Sequence, residues 1–87
     1  MIAKFKEGDY VKLKKEYYEK FKKESHLYNK YKNNIFYVKW IDAEQDNMLY
    51  VLFPYNSNNI AEGTGWIKEK YLEKASDEEI STIKYNL

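Results

Sequence analysis

The sequence contains no cysteine and no arginine, a single proline and only three glycines. Without cysteine, neither a disulfide nor a thiolate metal site can staple the fold, which is compatible with a reducing compartment. Without arginine, all fifteen basic residues are lysine. The chain therefore has no bidentate guanidinium fork for phosphate, carboxylate or guanine. Long apolar runs are missing as well. The longest, Met48 to Phe53 (MLYVLF), has the length of a strand and is far too short for a membrane span. The opening MIAKFKEGDY lacks the apolar core of a signal peptide, so a cytoplasmic chain is expected, with no membrane partner.

What is abundant is aromatic. Phe, Trp and Tyr make up 18% of 87 residues, and ten of them are tyrosine. A chain of this length forms one domain, residues 1–87, and hides only about 60% of its unfolded surface. A few large rings fill so small a core efficiently. The net charge is +1, but it is unevenly spread. Residues 1–43 carry eleven lysines against six acids, and residues 44–87 carry four against eight. Opposed halves of this kind allow self-association, so a homodimer is one expected partner state. Lysine in place of arginine, with many Asn, Ile and Tyr, points to an AT-rich genome such as that of a low-GC bacterium or its phage.

Gly8-Asp9 signals a turn, and Val11 and Leu13 alternate with Tyr10, Lys12 and Lys14, which predicts a strand over Tyr10–Lys14. In Lys15–Asn34, Tyr17, Phe21, Tyr28 and Tyr31 fall on one side of a 100° helical wheel. Glu16–Lys20 and Glu19–Lys23 are favourably oriented i,i+4 pairs. A short helix near 16–24 is expected, interrupted at Ser25-His26 and followed by an irregular arm to residue 34. Ile35–Asp42 is rich in β-branched and aromatic residues, AEQDN is a polar turn, and MLYVLF returns as the partner strand. Pro54 ends that strand and PYNSNN makes a loop. Thr64–Lys68 reads as a strand bracketed by glycines, and Tyr71–Lys74 as a short extended piece. Ser76 and Glu79 form a capping box ahead of a helix near 77–84 that buries Ile80 and Ile83.

Two stretches carry a resemblance. FKEGDYVKL (5–13) resembles the turn and first strand of Src-homology-3-like barrels. GTGWIKEKYLEK (63–74) resembles their closing element: a glycine, an aromatic, an aliphatic, one 3₁₀ turn, then Tyr-Leu. The bacterial members, often attached to cell-wall enzymes, end on a similar Gly-Trp-aliphatic-x-x-x-Tyr-Leu, matched here by Gly65, Trp66, Ile67, Tyr71 and Leu72. The resemblance covers roughly a quarter of the chain. It implies a mainly β, α+β fold: a five-stranded barrel with a helical insertion after strand one, a short C-terminal helix, and Trp66 or Tyr71 plugging the open end.

Chemistry is sparse. Asp42, Glu44 and Asp46 alternate like the start of a calcium loop, but the glycine and final acid that such a loop needs are replaced by Asn47 and Phe53. A solvated hairpin turn is expected instead, and no metal or cofactor. His26, the only histidine, has no partner set by spacing. No phosphate-binding glycine loop or nucleophile elbow is present. The expected function is therefore non-enzymatic: a protein-interaction module that sterically blocks or redirects another protein, with Tyr55, Trp66 and Tyr71 as aromatic anchors. Two alternatives stand beside it. One is a nucleic-acid-binding barrel using the lysine- and tyrosine-rich segment 12–32, with Lys14, Lys15, Lys20, Lys22 and Lys23 on phosphates. The other is a cell-wall-binding module.

Overall fold

A computed structural model describes residues 2–85. It is an α+β fold built on one five-stranded antiparallel sheet. The strands are β1 (Tyr10–Leu13), β2 (Phe36–Glu44), β3 (Asn47–Pro54), β4 (Ile67–Lys68) and β5 (Leu72–Lys74), in the order β4-β3-β2-β1-β5. The sheet is open and not the expected closed five-stranded barrel: β4 and β5 are its two edges and do not pair with each other.

β1 begins where the Gly8-Asp9 signal places it. Gly8 has φ 92°, in the region glycine reaches without a Cβ penalty, and its N–H donates to Val38 O at 2.8 Å. Val11 and Leu13 then face the core while Tyr10 and Lys12 are half-buried. β2 and β3 form the long hairpin, closed by Gln45-Asp46, with Gln45 at φ 54°. The core face carries Val11, Leu13, Phe36, Val38, Tyr50, Leu52, Ile67 and Leu72, closed from outside by Phe5 and Tyr31. β4 is shorter than the expected strand over Thr64–Lys68 and keeps only its last two residues. A 3₁₀ turn, Glu69–Tyr71, links it to β5.

The arm after β1 differs from the expected helix at 16–24. α1 (Lys15–Tyr18) is a single turn, and the main helix, α2, spans His26–Asn33. Ser25 starts α2 and does not break a helix: its Oγ accepts from the Tyr28 N–H at 3.0 Å, an N-cap that fixes the helix origin there. With α1 ending at Tyr18, the pairs Glu16–Lys20 and Glu19–Lys23 do not ride on a helix, and Lys15 pairs with Glu19 at 3.5 Å. The shared aromatic stripe survives by packing. Tyr17 meets Phe21, Tyr31 and Tyr71 at 6.1, 5.7 and 5.3 Å between ring centroids.

α3 (Asp77–Tyr85) follows the capping box. Ser76 N–H donates to Glu79 Oε1 at 3.0 Å and Glu79 N–H to Ser76 Oγ at 3.1 Å, the reciprocal pair that satisfies two free helix donors. Ile83 is buried and Ile80 half-buried. Lys12 Nζ lies 3.0 Å from Glu79 Oε2 and ties the helix to β1.

Candidate functional site

The expected anchors do not form one surface. Tyr71 is half-buried, with the Tyr17 ring on it at 5.3 Å and Lys70 Nζ 5.0 Å from its centroid. It belongs to the arm's aromatic cluster and does not plug the sheet's open end. Tyr55 is half-buried after β3, its N–H donating to Ile35 O at 2.9 Å. Trp66 is 52% exposed, so it plugs nothing either.

The opposite face of the sheet carries a surface instead, and a bulge creates it. Along β2, Phe36 and Val38 point into the core, and strict alternation would send Trp40 after them. The β2–β3 register shifts between Val38 and Trp40, leaving Lys39 as the extra residue. Core-facing positions therefore pass from Val38 to Ile41, and Trp40 is turned outward, opposite Val51 and 39% exposed. On the other side of β3, Ile67 pairs with Tyr50 in the core. Trp66 directly precedes β4 and is exposed. Trp40 lies opposite Val51 on one side of β3, and Trp66 stands just before β4 on the other side.

Trp40 sits on a firm floor. Phe53 is 2% exposed and Val51 6%, although both face away from the core. The Trp40 and Tyr37 rings meet Phe53 edge-on at 5.6 and 5.9 Å, and the chain at Gly63 lies against the Phe53 ring edge. Lys39 Nζ sits 5.8 Å from the Phe53 centroid, and Lys68 pairs with Leu49 at the next outward position. The arrangement is the half-exposed Trp40 ring over the buried Phe53 and Val51, with the Lys39 ammonium beside it and the exposed Trp66 next to β4.

The lysines of the arm are placed differently. Lys14 is half-buried at the start of α1, Lys15 faces Glu19, and Lys20 Nζ lies 4.0 Å from the Tyr17 centroid and 5.6 Å from that of Phe21. Lys22 and Lys23 are exposed. The tyrosines beside them are spent on one another: Tyr18 meets Tyr28 at 5.4 Å and Tyr31 meets Phe21 at 5.5 Å. Burial raises the Tyr17 and Tyr31 phenols above the ordinary tyrosine range.

A third feature is concave. Asn29, Lys30 and His26 of α2, with Asn34, Pro54, Asn56 and Glu62, line a hollow of about 480 Å³. Next to it Tyr37, Tyr55, Ser57 and Asn58 line a second, of about 430 Å³, and Asn56 is common to both. Lys30 Nζ donates to Glu62 O at 2.8 Å and braces the loop wall against the helix.

Among the described residues no group of three or more His, Asp or Glu side chains could hold a metal ion, and no helix is long and apolar enough to cross a membrane. Sequence reasoning missed Trp40 as a surface residue, because the bulge that turns it outward leaves no mark such as a glycine at Lys39. The chain matches no protein-family model, no curated protein and no solved structure.

Proposed function

We propose that this chain is a non-enzymatic protein-interaction module of Src-homology-3-like design, and that it grips its partner with the outer residues Trp40, Val51 and Trp66. The observation that carries the reading is the pair of exposed tryptophans, 39% and 52%, with the Trp40 ring seated on the buried Phe53. Large rings with few rotatable bonds lose little entropy on docking, which is why Trp is enriched among interface anchors. The fold assignment is supported by the 3₁₀ turn Glu69–Tyr71, which lies where the resemblance expects one, between Ile67 and Leu72.

The patch also specifies its partner's chemistry. Lys39 lies beside the Phe53 ring under Trp40, so the complementary surface is an apolar segment with a carboxylate beside it. The module acts sterically, by covering or recruiting that surface. An origin in a phage or mobile element, with a host protein as target, extends the reading and rests on composition alone.

The experiment is affinity capture from cells of the source or its host, before and after nuclease treatment, with wild type and a Trp40→Ser/Trp66→Ser double variant as bait. Circular dichroism first establishes that the variant is folded. A stoichiometric protein that survives nuclease and is lost from the double variant supports the proposal. A partner retained by the folded double variant removes this face from the reading. Recovery of nucleic acid alone, weakening steeply with salt, moves the function to the 12–32 lysines.

A further inference from the structure

We propose that the hollow between α2 and the loop 55–62 is a binding site for a short, neutral oligosaccharide. This site is separate from the two tryptophans and independent of them.

The size of the hollow, about 480 Å³, falls within the range of small-molecule sites, and its walls are already fixed. One wall is α2, whose origin is set by the Ser25 cap. The other is the loop, held by Ser57 N–H to Pro54 O at 3.0 Å, Ala61 N–H to Asn59 Oδ1 at 2.9 Å, and Lys30 Nζ to Glu62 O. A ligand entering it meets surfaces that need little ordering.

The lining selects the ligand class. Asn29, Asn34, Asn56, His26 and Glu62 line the hollow, and their side chains make no hydrogen bond among the described residues. Three carboxamides supply donors and acceptors side by side, which matches hydroxyl groups, since each of these both donates and accepts. Anions fit poorly: the one lysine there already donates to the Glu62 carbonyl, and the Glu62 carboxylate opposes negative charge. A wholly apolar ligand would leave the carboxamides and the Glu62 carboxylate without partners, whereas the carbon surface of the lining, Pro54 included, suits the C–H faces of a sugar ring.

The adjoining hollow completes the match. Tyr37 and Tyr55 line it, and the Tyr37 hydroxyl is fixed by donating to Ser57 O at 2.9 Å. Two tyrosines beside a recess lined by asparagines would accommodate one sugar ring by stacking and the next by hydrogen bonding. Asn56, common to both hollows, is placed to contact two consecutive units.

The test is a titration of the ¹⁵N-labelled chain, followed by its backbone amide resonances, with N,N′,N″-triacetylchitotriose, cellotriose, maltotriose and mannotriose, each to about 10 mM, enough to saturate a site of ~1 mM Kd. Adenosine monophosphate and inorganic phosphate are titrated in parallel. The expected result is saturable shifts at His26, Asn29 and Asn56 with at least one trisaccharide. Binding of that sugar should weaken tenfold or more in Asn56→Ala and in Asn29→Ala, both exposed positions, and be unchanged in Trp40→Ser/Trp66→Ser. Absence of saturable shifts with all four sugars overturns the proposal. So do shifts centred elsewhere, undiminished binding in both alanine variants, or a stronger response to the phosphate-bearing probes.

Discussion

The phenol of Tyr50 donates a 2.5 Å hydrogen bond to Glu69 Oε2, the same oxygen that accepts from the Lys4 backbone N–H at 2.9 Å. One carboxylate thus joins the core of β3, the 3₁₀ turn before β5 and the N-terminal segment that lays Phe5 over the core. The Phe5 and Tyr50 rings meet edge-on at 5.8 Å.

Burial, first, and the bond to Glu69 push the Tyr50 phenol up to about 12, from an ordinary value of 10.0. The folded state therefore holds the proton more tightly than the unfolded chain. This contribution is complete below pH 10 and is lost as pH rises toward 12. Burial of Tyr17 and Tyr31 acts in the same direction. Chemical denaturation from pH 8 to 12 should show stability falling through that window. Tyr50→Phe should lose about 1.5–3 kcal/mol at pH 7, as expected for a hydrogen bond to a charged acceptor, and should show a shallower alkaline fall. An equally steep alkaline fall in the variant would detach the effect from Tyr50.

Gly63 has no room for a side chain. A Cβ there would stand 2.7 Å from Phe53 Cε1 and 2.9 Å from Cδ1, and the Phe53 ring is too deeply buried to swing away. Gly63→Ala should destabilise by about 1–3 kcal/mol through overpacking. Gly65→Ala, where a Cβ meets nothing within 4 Å, serves as the control and should stay within about 0.5 kcal/mol of wild type. Equal midpoints for the two variants in urea would show that the loop yields at Gly63.

The β2–β3 hairpin carries a correctable strain. Gln45 occupies φ 54°, where a Cβ crowds the following carbonyl. Gln45→Gly removes that crowding at the cost of a more flexible unfolded chain, and the balance should favour the folded state by about 0.5–1 kcal/mol. A rise in thermal midpoint is the readout, and a fall would mean that the glutamine side chain contributes more than its backbone costs.

Ser25→Ala removes the acceptor for the Tyr28 N–H and should cost about 1 kcal/mol, within the usual range for a lost N-cap. Hydrogen exchange at Tyr28 should accelerate before exchange in β2 and β3. Slow, unchanged exchange at Tyr28 would show that ring packing, not the cap, sets the start of α2.

The elements whose signals are local were legible from the sequence. Gly8-Asp9 announces β1, Ser76 and Glu79 announce α3, and the alternation of Val11 and Leu13 gives the core side of β1. Each depends on residues within three or four positions of one another, so composition and spacing carry the information. Ser25 reads instead as an interruption, because no Glu or Gln follows three residues on to complete a capping box and two short helices around an irregular stretch blur a single helical period.

Pairing across the chain decided the rest. Alternation from Phe36 and Val38 assigns Trp40 to the core, and only the register of β2 against β3, with its extra residue at Lys39, turns that ring outward beside Val51. Likewise, no sequence spacing reveals that Tyr71 is covered by Tyr17, that Gly63 presses on Phe53, or that Asn29 and Asn56 face one hollow. The sequence by itself determined where β1 and α3 begin, because the turn and the cap that start them are satisfied by near neighbours. The tertiary structure alone decided which aromatic rings reach the surface, because exposure depends on what the distant parts of the chain leave uncovered.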